Sequence, residues 1–244
     1  MNDWPADWIR PEWPAPSCIR ACVTTREGGV SQAPFDGFNL GDHVGDAPDD
    51  VAANRRRLRR VLACEPAWMN QVHSSAVIEA TPRQRLTADA CWTSEAGVAC
   101  AVLTADCLPV LFCDRAGSRV AAAHAGWRGL AGGILEATVA AMDAPGHQLL
   151  AWLGPAIGPD AFEVGPEVRD AFVSQHAAAV EAFSPSRNAG RFMADIYQLA
   201  RLHLAACGVT AVFGGGYCTV SDPRFYSYRR AARTGRFASL IWRD

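Results

Sequence analysis

Residues 98–124 read VACAVLTADCLPVLFCDRAGSRVAAAH, a succession of short apolar runs broken by polar or glycine-bearing turns. The runs Val98 to Leu103, Pro109 to Cys113 and Val120 to Ala123 are continuously apolar rather than alternating, which marks strands buried on both faces. Leu149 to Leu153 repeats the form. Between the last two runs, the Ala- and Leu-rich segment Leu130 to Met142 predicts a helix, and a second helix is predicted from Asp195, its cap, to Cys207. Strands and helices mix without a regular βαβ rhythm, so the expected class is α+β with mixed sheets rather than a doubly wound fold.

Upstream, Ile19 to Thr25 predicts a strand and Arg26-Glu27-Gly28-Gly29-Val30 a turn whose glycines permit positive φ. A helix is predicted after Gly45-Asp46-Ala47-Pro48, with Asp46 as cap, Pro48 in the first turn, and Val51, Leu58, Val61 and Leu62 on one face. Arg55, Arg56, Arg57, Arg59 and Arg60 fall opposite and read as a solvated face rather than a phosphate site. Residues 1–18, rich in Trp and Pro, suit an extended arm packed on the surface, with residues 19–244 forming one catalytic domain.

The chain has 244 residues, half of them apolar, and a formal charge of -2. That balance provides no electrostatic footprint for DNA or RNA. No uninterrupted apolar stretch is long enough to cross a bilayer, and the N-terminus lacks an export signal. With an odd number of cysteines, nine, the expected setting is cytoplasmic with reduced thiols.

Three segments run from apolar residues into a polar or glycine-bearing turn that carries a reactive side chain. They are Trp68-Met69-Asn70-Gln71-Val72-His73, Leu103-Thr104-Ala105-Asp106-Cys107-Leu108-Pro109 and Ala121-Ala122-Ala123-His124-Ala125-Gly126-Trp127-Arg128-Gly129. Two imidazoles and a thiolate form a three-ligand zinc set with an open fourth position, the design of catalytic sites. Such a zinc lowers the pKa of a coordinated water to about 7. A metal-free alternative makes Cys107 a nucleophile with His73 or His124 as its base. The bland reading of Cys18, Cys22, Cys64, Cys91, Cys100, Cys113 and Cys207 is that of small buried hydrophobes. His43, His147, His176 and His203 read as surface or satisfied structural groups.

Together, Thr24-Thr25-Arg26-Glu27-Gly28-Gly29-Val30-Ser31, Asn39-Leu40-Gly41, Gln71-Val72-His73, Thr104 to Val110, His124 to Gly129 and Gly154-Pro155-Ala156-Ile157-Gly158-Pro159 closely resemble the laccase-domain family, also called YfiH-like or polyphenol oxidase. The resemblance implies a single-domain α/β sandwich with mixed sheets and a zinc site on His73, Cys107 and His124, which would also be the catalytic residues. It further implies phosphorolysis of the purine nucleosides adenosine, inosine and methylthioadenosine, with inorganic phosphate as co-substrate, plus adenosine deamination. Arg26, Arg128, Arg229 and Arg230 are candidate phosphate contacts, because their forked donors match that anion. Asn39 and Gln71 are candidate contacts to base or ribose, and Asp106 a supporting group with either a structural or an acid/base role.

The family's closing segment carries an acidic residue where this chain has Ala231. Copper is the other metal the set accommodates, as in the family's older oxidase label. Six histidines, only two of them in motif positions, fall short of the imidazole-rich cluster that dioxygen reduction needs. A hydrolase editing peptidoglycan precursors uses the same Cys and His residues and stands as a further alternative.

Overall fold

The computed structural model describes residues 4–81 and 85–244. The chain runs β1 (Ile19–Val23), α1 (Pro48–Leu62), β2 (Glu65–Ala67), β3 (Val77–Glu79), β4 (Ala90–Thr93), β5 (Val98–Thr104), β6 (Leu108–Asp114), β7 (Val120–Ala125), α2 (Trp127–Ala131), α3 (Ile134–Ala141), β8 (Leu149–Leu153), β9 (Glu163–Val164), α4 (Pro166–Val173), β10 (Phe183–Pro185), β11 (Phe192–Ala194), α5 (Ile196–Ala206), β12 (Ala211–Gly214) and β13 (Phe237–Arg243). One sheet has the order β1-β13-β5-β2, a second β12-β8-β6-β7-β4-β3, and a small third β10-β11-β9. The pairs β2–β5, β3–β4 and β8–β12 are parallel and the others antiparallel, so the two large sheets are mixed as the resemblance implied.

Period-two alternation of side chains explains why the central strands read as unbroken apolar runs. On β5, Val98, Cys100 and Val102 face the core between the two large sheets, while Ala99, Ala101 and Leu103 pack toward α1 and Trp8. On β6, Leu111 and Cys113 face that inter-sheet core, and Leu108, Val110 and Phe112 face a helical layer with Leu135, Phe172 and Leu199. Both sheets are therefore covered on both faces, and the molecule is a single sandwich with helices outside.

Local departures from the sequence reading have local causes. The predicted helix from Leu130 splits into α2 and α3 at Gly132 and Gly133, where Gly133 takes φ 86 and caps α3. Asp46 does not cap α1; Ala47 holds that position, and the Asp46 carboxylate accepts from Ala47 N and Asn39 Nδ2. Asp195 does cap α5, accepting from Tyr197 N and Gln198 N. The arginine face of α1 is only partly solvated, since Arg55 donates to Leu40 O and stacks 4.5 Å over the Trp68 ring. Residues 1–3 of the arm lie outside the described residues. Farther along it, Trp8 and Ile9 are buried, and Ile9 bridges to Val23 of β1, so this part belongs to the core. No described helix is long and apolar enough to cross a membrane.

The turn at residues 26–30 needs its two glycines for different reasons. Gly28 takes φ 77, the left-handed region the sequence reading assumed, whereas a Cβ on Gly29 would lie 2.0 Å from Gly37 O and 2.4 Å from Phe38 Cα. Both obstacles are backbone, and buried Asn54 of α1 ties the segment down by accepting from Val30 N and donating to Gly37 O. Gly29→Ala is therefore expected to cost at least about 3 kcal/mol. Thermal unfolding should show this as a midpoint lowered by roughly 6–12 °C.

Candidate metal centre

The turn from β5 to β6 carries the chain from one large sheet to the other, and Cys107 sits in it. Asp106 holds the turn in a positive-φ conformation, φ 91. Its carboxylate accepts from Thr219 Oγ1 at 2.6 Å and Arg229 N at 2.7 Å, and its carbonyl accepts from Ile157 N at 2.9 Å. These bonds give Asp106 the structural role: it fastens three loops around Cys107.

His124, near the end of β7, lies opposite Pro109 of β6. His73 comes from the loop after β2 and also takes positive φ, 62. Asp89, fully buried ahead of β4, positions both histidines. One carboxylate oxygen accepts from His73 N at 2.9 Å and lies 2.8 Å from His124 Nδ1. The other accepts from Val72 N, Ser74 N and Ser74 Oγ at 3.2, 2.6 and 2.7 Å. In a neutral ring, donation from Nδ1 leaves the His124 Nε2 lone pair free for a metal, the usual arrangement of a metal-ligating histidine backed by a carboxylate.

One ligand atom each from His73, Cys107 and His124 falls within 4.8 Å of the other two. Cys107 Sγ is 3.7 Å from His73 Nε2, and the imidazole centroids are 4.7 Å apart. A Cβ on Gly126 would stand 2.9 Å from both Cys107 Sγ and His73 Cδ2, so only glycine keeps the space between them clear. Burial pushes the Cys107 thiol up, but the two imidazoles outweigh it and bring the thiol down to about 6. Burial likewise pushes His124 down, while Cys107 and Asp89 bring it up to about 9. A thiolate, two imidazoles and a glycine-cleared space are a donor set that fits a metal ion.

The trio opens onto a cavity of about 500 Å³, within the usual range for small-molecule sites. Leu103, Ile157, Phe162 and Ile196 give it an apolar wall, and Tyr228, 58% exposed, stands on its rim. Arg128, Arg229 and Arg236 contribute positive charge. A larger cleft of about 620 Å³, between the arm and Trp152, Tyr217 and Arg224, contains neither of the described groups able to hold a metal.

Residues 20–244 match the family model described as multi-copper polyphenol oxidoreductase laccase. The chain belongs to this laccase-like family. Its relatives include a purine nucleoside phosphorylase of Pseudomonas aeruginosa, 67% identical over 96% of this chain and 98% of that protein. The purine nucleoside phosphorylase YfiH of Escherichia coli is 53% identical, again over 96% and 98%. Among solved structures, a Neisseria meningitidis protein superposes with a TM-score of 0.95 at 51% identity, covering 98% of this chain and 99% of that one. YlmD from Geobacillus stearothermophilus gives 0.87 at 32% identity, covering 97% and 96%.

Within this laccase-like site, the residues read from the sequence as substrate contacts fall into two groups. Arg128 and Arg229 line the cavity: Arg128 stacks 4.4 Å over the Trp127 ring, and Arg229 donates to Glu163 O while lying 5.9 Å from the Phe162 centroid. Gln71 also lines it, but both ends of its amide are spent on Leu103 N and O.

Arg26, Asn39 and Arg230 do not line it. Arg26 pairs with the Asp36 carboxylate at 2.6 Å. Asn39 is fully buried, holding Gly41 and Arg236 N, and Arg230 donates to the carbonyls of Thr219, Val220 and Phe225. Each of the three therefore has a structural partner where the sequence reading placed a ligand. Ala231 is exposed and likewise off the cavity wall. Sequence reasoning missed Asp89, Arg236 and Tyr228. Arg236 alone had a signal, ending the Thr234-Gly235-Arg236 run that follows Ala231 in the family's closing segment.

Proposed function

We propose that this chain is a zinc-dependent purine nucleoside phosphorylase acting on adenosine, inosine and methylthioadenosine, with adenosine deamination as a second activity of the same cavity. The observation that carries the reading is the meeting, in one cavity, of the His73–Cys107–His124 donor set, three arginines and an aromatic and apolar wall. The names of the relatives from Pseudomonas aeruginosa and Escherichia coli support it. Zinc on His73, Cys107 and His124 would supply Lewis acidity at the position those ligands leave open.

The chain's own residues do the binding and the exclusion of water. Tyr228 and Phe162 offer faces on which a purine can stack, with Ile157 and Ile196 completing an apolar slot. Arg128, Arg229 and Arg236 suit inorganic phosphate, since their planar forks bind its oxygens in pairs. Among these, Arg128 is the best placed to turn toward an anion. Among the described residues its guanidinium has a ring contact and no acceptor, whereas Arg229 and Arg236 are partly held by carbonyls. In phosphorolysis a phosphate oxygen bonds to the anomeric carbon as the glycosidic C–N bond breaks. The electron pair of that bond leaves with the purine, which takes up the proton that the attacking hydrogen phosphate gives up. Positive charge developing on the sugar is stabilised by the bound phosphate that the arginines hold in place.

Zinc is preferred to copper for this chemistry because a multicopper cluster needs further imidazoles converging on one point, and the remaining histidine on the cavity wall is His43 alone. One observation favours a second reading. Cys107 Sγ stands 3.7 Å from His73 Nε2 and within 4.8 Å of a His124 ring nitrogen. The imidazoles bring the thiol down while the thiol and Asp89 bring His124 up, the thiolate–imidazolium pairing that a cysteine hydrolase of peptidoglycan precursors would use.

Incubating the zinc-loaded protein with adenosine, with and without phosphate, tests the proposal by product chromatography. Adenine formed only with phosphate, or inosine formed without it, is the expected result. Neither product from folded, zinc-loaded protein would sink the purine reading and favour the hydrolase.

A further inference from the structure

Away from the cavity, Glu136, His176 and His203 converge from three elements on the helical side of the six-stranded sheet. Glu136 lies in the first turn of α3, His176 just after α4, and His203 on the buried face of α5. One ligand atom from each falls within 4.8 Å of the other two. The sequence reading took His176 and His203 for surface or satisfied structural groups, and His203 is neither at the surface nor fully satisfied. His203 is fully buried; its Nδ1 lies 2.6 Å from Glu136 Oε1, yet its Nε2 has no hydrogen-bond partner. Glu136 Oε2, also shut away from solvent, has none either. The His176 ring stands edge-on 5.0 Å from His203, and Phe172 closes another side at 5.7 Å.

Buried polar atoms without partners are rare in native proteins and point to an ion or water that completes them. A neutral His203 donating from Nδ1 presents a bare lone pair at Nε2, and Oε2 of a carboxylate presents only lone pairs. In that tautomer the spare valences are all acceptors. With a second imidazole at hand, the group that satisfies them together is a cation rather than another donor side chain. Two imidazoles and a carboxylate are the donors that zinc and cobalt(II) accept, with a coordination position left over.

We infer that Glu136, His176 and His203 form a second divalent transition-metal site, separate from the His73–Cys107–His124 centre. The two sites share no residue, so each can be emptied by itself.

The test is cobalt(II) titration of full-length protein, followed by visible absorption and by metal quantification after equilibrium dialysis. In Cys107→Ala protein, which lacks the thiolate of the first centre, about one equivalent of cobalt should remain bound. Adding His176→Ala should weaken that binding at least about 100-fold and erase its absorption. His176 is only partly buried, and His176→Gln, with near-ultraviolet circular dichroism as a check on folding, guards against a merely unfolded variant. Zinc should raise the unfolding midpoint of Cys107→Ala but not of the double variant. No bound cobalt in folded Cys107→Ala, or equal binding with and without His176, would overturn the inference and assign the buried atoms to water. Failure of the first centre would show separately, as equal cobalt uptake by wild type and Cys107→Ala.

Discussion

Cys107→Ala is expected to lower kcat/KM for adenosine phosphorolysis by at least about a thousandfold while leaving the fold intact. The variant removes a half-buried thiol from a turn whose shape is set by Asp106, Thr219 and Arg229, so little packing is lost. What disappears is the anionic ligand of a three-ligand set, leaving two neutral imidazoles to hold a divalent ion. Lewis-acid stabilisation is worth several kcal/mol, and a loss of about 4 kcal/mol corresponds to roughly three orders of magnitude.

Chelation separates the metal reading from the thiolate nucleophile. Wild type stripped of metal should lose phosphorolysis and regain it with zinc, whereas Cys107→Ala should stay inactive under both treatments. Steady-state rates measured with and without chelator decide it. Wild-type activity that survives chelation would favour the nucleophile, and near-normal activity of Cys107→Ala would exclude both schemes.

The trio was legible in the sequence because each member sits in a turn or at the strand end just before one, flanked by residues of recognisable type. The central strands were legible too, because β5 to β8 are buried on both faces and carry nothing polar in mid-strand. What escaped detection depends on pairings between distant segments. Asp89 stands in Thr87-Ala88-Asp89-Ala90, a stretch indistinguishable from an ordinary turn, and acquires its meaning only from residues 15 to 35 positions away. The Glu136–His203 pair joins helices 67 residues apart. The strands β9 to β11 are too short to impose any periodicity. The arginines show the same limit from the other side. Composition marks them as anion binders, but nearby carbonyls take Arg230 and the Asp36 carboxylate takes Arg26.

Asp89→Asn carries the second large effect, because no rotamer of the amide can satisfy the site. Apart from the Ser74 hydroxyl, which can also accept, every partner of the carboxylate is a donor: the N–H groups of Val72, His73 and Ser74, and His124 Nδ1. Whichever way the amide turns, its NH2 faces backbone or imidazole N–H groups, and buried donors lose their acceptor. That mismatch should cost about 2–4 kcal/mol. At roughly 2–4 °C per kcal/mol for a chain of this size, the unfolding midpoint should fall by about 4–16 °C.

The pH dependence identifies the carboxylate as the cause. Burial pushes the Asp89 pKa up, but hydrogen bonds from His124 and Ser74 prevail and hold it well below the usual carboxylate range. A group depressed on folding contributes stability above its unfolded value of about 3.9, and that contribution is lost as pH falls toward the folded value. The gap in stability between wild type and Asp89→Asn should therefore shrink as pH drops below about 4, and, because Asp89 also helps raise His124 to about 9, the part owed to that pair should fade as pH climbs from about 6.5 toward 9. Denaturant titrations at pH 7, 4 and 3 measure it. The same substitution releases His73 and His124 from their common anchor, and metal affinity should weaken by about 10- to 100-fold. A gap that does not narrow in acid would mean that the loss comes from packing around Asp89 and not from its charge.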